Sequence, residues 1–375
     1  MKLVYIPEII RMLSRRIRVC FFGVRRYAGS SSQVGKKIIH DCYDEKKGYF
    51  RVSAGHFCEF YCRDFGWCAE SLVNLRYKDK VVSTLRYALT VFEAHGRVEQ
   101  TISPAGIAFT FPGRYSPDSL AFLVHAVRAS GDRNLVKRFK PFLEREVARY
   151  FKEVIDSRTG LVKRGVQFSS MKDYSVRSSS CYDNCMTAML KEDLDFLGLA
   201  NPFRRYDYHS LIIRNFWNGS FFVDDLSKAK DDPLNAVTGD SNVFPLWAGV
   251  VKEGKVLRGA LRAVMKEGLD VPLPLKYTAG HRKGQRMIRW EFFAGDYERD
   301  AVWAHMGLLY IDLLSRINKP LARKRLAEYR KRILQHKNFL EVYDRNGKPF
   351  RTPLYYSDES MLWVANYLVL EKDLL

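Results

Sequence analysis

Two carboxylates far apart in the chain sit in surroundings that suit acid–base chemistry. Asp118 lies in Tyr115-Ser116-Pro117-Asp118-Ser119-Leu120, directly before an apolar run from Leu120 to Ala129. Ser116 suits a helix N-cap and Pro117 the first helical position, so Asp118 is expected in the first turn of a helix. Glu341 lies in Asn338-Phe339-Leu340-Glu341-Val342-Tyr343-Asp344, between apolar neighbours. A carboxyl that protonates a leaving oxygen and a carboxylate that activates water can together cleave an acetal such as a glycosidic bond. Each residue also has an ordinary reading. Asp118 is then a plain helix-terminal carboxylate, and Glu341 a loop carboxylate paired with an arginine. A helix N-terminus favours the ionised form of Asp118, opposite to what a general acid needs. Burial, or a neighbouring carboxylate such as Asp64, would have to counter that. Asp173 and Glu291 are the alternative acids.

Other residue types could hold a substrate. Tyr61, Trp67, Trp290, Tyr297 and Trp303 could stack on or wall a sugar ring, and they suit a core equally well. Arg63 and Asp64 side by side read as a salt-bridged helix start. Lys276, in Pro272-Leu273-Pro274-Leu275-Lys276-Tyr277, could contact a hydroxyl or an anion. Asp240 and Asn242, in Thr238-Gly239-Asp240-Ser241-Asn242, suit loop caps or sugar ligands. Gly-rich phosphate loops, His-Glu-x-x-His and Gly-x-Ser-x-Gly are missing, which argues against a nucleotidase, a zinc protease and a serine esterase. Cys58 and Cys62, and Cys181 and Cys185, are four apart and match no strong zinc signature, so neither a metal nor a cofactor is expected.

The elements that would position these groups are helices. Apolar periodicity predicts helices over 64–76, 79–94, 116–130, 134–155, 181–197, 202–217, 242–251, 255–266, 298–316, 320–337 and 357–371. Polar or irregular loops are expected at 161–180 and 269–297, and long loops in compact domains are commonly functional. No βαβ unit is visible. Helix pairs joined by turns suggest stacked αα-hairpins closed into a ring, an all-α (α/α)6 toroid with long loops at one face. The Gly/Ser-rich stretch 28–36 suggests a basic N-terminal segment over 1–35 and one barrel domain over 36–375. Residues 9–26 read as a first helix packing on that domain, with a membrane-surface helix as the alternative.

The 375 residues carry a net charge of +20, with 47% hydrophobic, 28% charged and 14% aromatic residues. The charge is spread along the whole chain. Its densest run, 323–337, keeps Leu326, Tyr329 and Ile333 at helical spacing, so a solvated helix face is expected rather than a nucleic-acid patch. Seven cysteines without a secretion signal suggest a reducing cytoplasm. No apolar run has the length of a membrane span. Composition leaves the oligomeric state open.

Four stretches in order resemble the six-hairpin (α/α)6-barrel glycosidases, in particular the amylo-α-1,6-glucosidase (glycogen-debranching) domains and the neutral/alkaline invertases. They are Tyr61-Cys62-Arg63-Asp64-Phe65-Gly66-Trp67, Ser116-Pro117-Asp118-Ser119-Leu120, Gly295-Asp296-Tyr297 with Val302-Trp303, and 338–343 with Tyr355-Tyr356-Ser357 behind it. Where invertases carry an Asn-Gly pair after the tyrosine, this chain has Glu298-Arg299-Asp300, which points away from sucrose. The resemblance implies inverting hydrolysis of a terminal sugar, with Asp118 as general acid, Glu341 as general base and Asp64 binding sugar hydroxyls. The implied substrate is an oligosaccharide or glycoside, most simply an α-glucoside. The competing expectations are an unsaturated-uronyl hydrolase or sugar epimerase on the same barrel, and a non-catalytic carbohydrate-binding module.

Overall fold

The computed structural model describes residues 5–111, 115–280, 287 and 295–375. Its helices are α1 (Ile6–Phe22), α2 (Ser31–Cys42), α3 (Cys62–Asn74), α4 (Lys78–His95), α5 (Pro117–Ser130), α6 (Arg133–Val154), α7 (Cys181–Leu197), α8 (Tyr208–Phe216), α9 (Gly239–Trp247), α10 (Gly254–Lys266), α11 (Ala304–Ser315), α12 (Lys319–His336) and α13 (Val364–Leu374). Local chemistry sets their ends. Asp132 accepts from the Leu135 amide at the start of α6, and Ser180 does the same for Asp183 at the start of α7. Gly96, Gly131 and Gly198 end α4, α5 and α7 in the left-handed region, where a side chain would be strained.

Helices α3, α5, α7, α9, α11 and α13 each pack on the next, and α13 returns to α3, closing an inner ring. Helices α2, α4, α6, α8, α10 and α12 form the outer layer, each packed against an inner partner. Burial follows this division. Helix α5 is buried nearly all round, from Pro117 to Val127, whereas α12 buries one stripe, Ala322, Leu326, Tyr329 and Ile333. Gly66 permits the close approach of α3 and α5, since a Cβ there would lie 2.5 Å from Cβ of Phe122.

The connections are unequal. Those after the inner helices are short, as at 75–77, 131–132 and 316–318, while those before them are long. All six inner helices therefore start at one face, roofed by the long segments. Three small antiparallel sheets stiffen that roof: β1 (Tyr43–Asp44) with β2 (Tyr49–Phe50); β4 (Thr101–Ile102) between β3 (Phe60–Tyr61) and β5 (Ala108–Phe109); and β6 (Val302–Trp303) with β7 (Val342–Tyr343).

Several expected boundaries move. Helix α2 lies partly inside the stretch read as a polar loop, and the expected domain boundary at 35/36 falls within it. It is nucleated by a capping box between Ser30 and Gln33. Helix α8 begins at Tyr208 because Asp207 caps it, not at Pro202. Helix α11 begins at Ala304, not Glu298, because Val302 and Trp303 pair with Tyr343 and Val342. Helix α9 begins at Gly239, so Asp240 and Asn242 are helical rather than loop residues.

Candidate active site

The inner helix starts bring distant carboxylates together. Arg63 and Asp64 are the second and third residues of α3, and Asp118 is the second residue of α5. Ser116 occupies the N-cap position of α5, but its hydroxyl turns to the Asp118 carboxylate, Oγ to Oδ1 at 2.7 Å. Arg63 Nε lies 2.6 Å from Asp118 Oδ2, and the Tyr182 hydroxyl donates to the same oxygen at 2.9 Å. The second arm of Arg63 donates to the Ser170 carbonyl at 2.6 Å. Asp118 is fully buried. Its carboxylate is thus ion-paired, twice more hydrogen-bonded and shut off from solvent.

Glu341 precedes β7 and is buried. The Tyr297 hydroxyl donates to Oε1 at 2.6 Å, while the Tyr355 hydroxyl and the Asp358 amide (3.0 Å) donate to Oε2. Burial and the negative charge of Asp358 raise the Glu341 carboxyl, and the three donors partly restore its ionised form. Burial would raise Asp358 too, but His56 and Arg15 beside it, with a bond from Ser53, hold it well below the usual carboxylate range. Trp303 donates through Nε1 to the Tyr297 carbonyl at 2.8 Å, and their rings meet edge to face at 4.5 Å.

Asp64 feels the charges of both groups. Burial, then the charges of Glu341 and Asp118, push its carboxyl up to about 7 against the pull of Arg63. Asp173, in the loop before α7, is raised by burial and by Asp118, again against Arg63. Its Oδ1 is buried with no hydrogen-bond partner. Glu298 pairs electrostatically with it and accepts three backbone amides, those of Asp173 (2.6 Å), Tyr174 (3.0 Å) and Ser175 (3.1 Å). Burial and the charge of Asp173 push Glu298 up to about 8 against those amides, and Asp173 is raised to about 7, so the pair shares a proton and Asp173 is the member with an oxygen left open.

Trp67 does not offer a free face. It stacks on His305 at 4.0 Å and meets Trp363 edge to face, filling the ring between α3, α11 and α13. Burial and Arg63 hold His305 well below its usual range, so it is neutral. Tyr61 lies at the rim, its hydroxyl 3.4 Å from Glu8 of α1. Asp240 is occupied by Lys172 at 3.0 Å and Arg177 at 3.2 Å. Asn242 bonds the Phe222 amide and the Thr238 carbonyl. Lys276 turns away from the cluster. Its Nζ approaches the Gly268 carbonyl at 3.4 Å, and its charged neighbours are Asp300, Asp270 and Arg345. Trp290 and Glu291 lie outside the described residues. A surface cavity of about 1040 Å³ between the end of α6, residues 155–166 and α8 does not touch the carboxylates.

The structure thus gathers Arg63, Asp64, Asp118, Asp173, Tyr297, Trp303 and Glu341, and adds four residues that sequence reasoning did not select: Tyr355, Asp358, Glu298 and His305. Tyr355 had a signal, since it follows the Glu341 segment in the resemblance. Glu298 had one in its place beside Tyr297. His305 had none.

A ring of six inner and six outer helices, with carboxylates at the starts of the inner ones, defines the six-hairpin (α/α)6 glycosidase fold. No sequence family and no curated protein matches the chain. Solved structures do. The chain is similar to a rhamnosidase from Klebsiella oxytoca with rhamnose bound, at 14% identity and TM-score 0.66, over 92% of this chain and 63% of that one. It is similar to a glycosidase variant in complex with glucose, at 14% identity and TM-score 0.61, over 98% of both chains. It is also similar to the neutral trehalase Nth1 from Saccharomyces cerevisiae, at 13% identity and TM-score 0.57, over 89% of this chain and 76% of that one. The chain spans less than two thirds of the length of the rhamnosidase.

Proposed function

We propose that the protein is an inverting exo-glycosidase that releases a terminal sugar, with Asp173 as general acid and Glu341 as general base. The observation that carries this reading is the contrast between three carboxyls. Glu341 is held by two tyrosine hydroxyls and an amide, as an ionised base oriented for water needs. Asp173 is raised and has an unpartnered oxygen, as a proton donor needs. Asp118 is the expected acid from the sequence, but Arg63, Tyr182 and Ser116 occupy it. We assign it instead the task of fixing Arg63 beside Asp64 and Asp173.

In this mechanism Asp173 protonates the glycosidic oxygen, and Glu341 takes a proton from water as it attacks the anomeric carbon from the opposite side. Inversion requires the two carboxyls to stand roughly 6.5–9.5 Å apart around the sugar. Asp64 accepts hydroxyls of the terminal ring, and Tyr297 and Trp303 wall it. An α-glucoside, such as a short malto- or isomalto-oligosaccharide or trehalose, is the proposed substrate. The glucose and trehalase neighbours and the likeness to amylo-α-1,6-glucosidase segments support it. Seven unpaired cysteines support a reducing, cytoplasmic setting.

The test is hydrolysis of an oligosaccharide and aryl-glycoside panel, with the anomer of the released sugar read by NMR. Glu341→Gln should remove activity on every substrate. Asp173→Asn should lower kcat by about 10²–10⁴-fold on oligosaccharides. It should spare activated aryl glycosides, whose leaving groups depart unprotonated. Equal losses on both substrate types would refute Asp173 as the acid. Release of the retained anomer would refute the water-activating role of Glu341. Glycan binding without hydrolysis by the unaltered chain would replace the enzyme reading with a binding module.

A further inference from the structure

Helix α1 has two unlike faces. One is fastened to the barrel. Arg15 is buried and donates to the Tyr356 and Ser357 carbonyls at 2.7 and 2.9 Å, Arg11 pairs with Glu59, and Val19 is buried. The other carries Ile6, Ile10, Ile17 and Phe21 along one side, with Phe22 adjoining. They range from 37% exposed at Ile6 to 82% at Phe22. Phe111, 40% exposed, stands beside Tyr5 at the start of α1, the two rings 5.3 Å apart. A helix whose only task is to pack on a barrel carries polar residues outward.

We propose that this outward face of α1 docks the protein on an anionic lipid surface. The charge pattern selects that occupant. Residues 5–27 hold six arginines and one acidic residue. Arg18 and Arg25 are exposed but ion-paired, with Glu359 and Asp41, whereas Arg16 and Arg26 bond neutral groups, the Thr352 and Gln335 carbonyls, and keep their charge for a partner. An apolar helix face edged with arginine matches a layer of acyl chains beneath negative headgroups. A second copy would bring another +20 against this one. No described helix is long and apolar enough to cross a membrane, so the contact is interfacial. Its orientation bears on the site, because the fastened face of α1 rests on the roof segments. Arg11 reaches the His56 carbonyl, Tyr5 the Thr110 carbonyl and Arg16 the Thr352 carbonyl. A docked protein therefore holds the mouth of the barrel beside the headgroups.

The experiment is sedimentation of the full chain with phosphatidylcholine vesicles, with and without phosphatidylserine, at low and raised salt. Binding should require phosphatidylserine and weaken with salt. A double variant, Phe21→Ser with Phe22→Ser, removes side chains that stand mostly in solvent and leaves the barrel contacts intact. It should lower vesicle partitioning about tenfold or more, with unchanged circular dichroism. No binding to phosphatidylserine vesicles at low salt would overturn the proposal. So would equal binding by the variant, or a dimer seen by light scattering that the variant abolishes.

Discussion

Asp64 offers a perturbation whose size follows from the structure. Its carboxyl titrates at about 7 in the folded chain, against about 3.9 when unfolded. The sign is fixed by which state holds more protons. Between these two values the native carboxyl keeps its proton and the unfolded one has released it, so stability falls as pH rises. The favourable contribution is fully present below about pH 3.9 and is lost through about pH 7, a change of about 4 kcal/mol. Asp64→Asn replaces the protonated carboxyl with a neutral group of the same shape. It should be more stable than the parent by about 1.5 kcal/mol at pH 5 and about 4 kcal/mol at pH 8. For a chain of this length the larger figure corresponds to about 5 °C in Tm. Paired denaturant and thermal melts across that range measure it. The same variant should lose hydrolysis, because the amide donates where the carboxylate accepts sugar hydroxyls. A stability gap that is constant with pH, or of opposite sign above pH 7, would refute the picture of carboxylates crowding Asp64.

Two further substitutions separate the other carboxylates. Tyr297→Phe deletes a 2.6 Å donor to Glu341 and so raises its carboxyl further. The acidic limb of kcat/KM against pH should move up by about one pH unit, and an unmoved limb would argue against Glu341 as the ionised base. Asp118→Asn removes the ion-pair partner of buried Arg63 and should cost about 3–5 kcal/mol in a denaturant melt, whereas Asp173→Asn, at a carboxyl that burial also raises to about 7, should be more stable than the parent above neutral pH. Equal effects would undo the division of roles between the two aspartates.

The ring was legible wherever periodicity was strong. Helices α5 and α7 are apolar around much of their surface and α12 along one stripe, and that is the difference between inner and outer positions. Helix α2 was hidden because it starts on Ser31, Ser32 and Gln33, small polar residues that read as loop, although the Ser30 and Gln33 capping pair was a usable signal. The strands are two residues each and leave no pattern. Lys276 and Asp240 look free in the sequence, where each lies near glycine or proline, and the fold gives both of them partners. Whether Lys172 and Arg177 fold back onto Asp240 is decided by packing between loop and helix.

The two acid candidates show where this limit falls. In the sequence, the placing of Asp118 at a helix N-terminus already weighed against it as the acid. The fold sets Arg63 of α3 against it, a pairing that exists because α3 and α5 are ring neighbours. Asp173 has no regular element around it. What suits it to hold a proton is burial, a neighbouring Asp118 and a Glu298 already occupied by backbone amides, all supplied by segments remote in sequence. Residues at helix starts are the ones a motif records. The acid we propose sits in the loop between them, where the same chemistry needs no fixed spacing and leaves no mark in the chain.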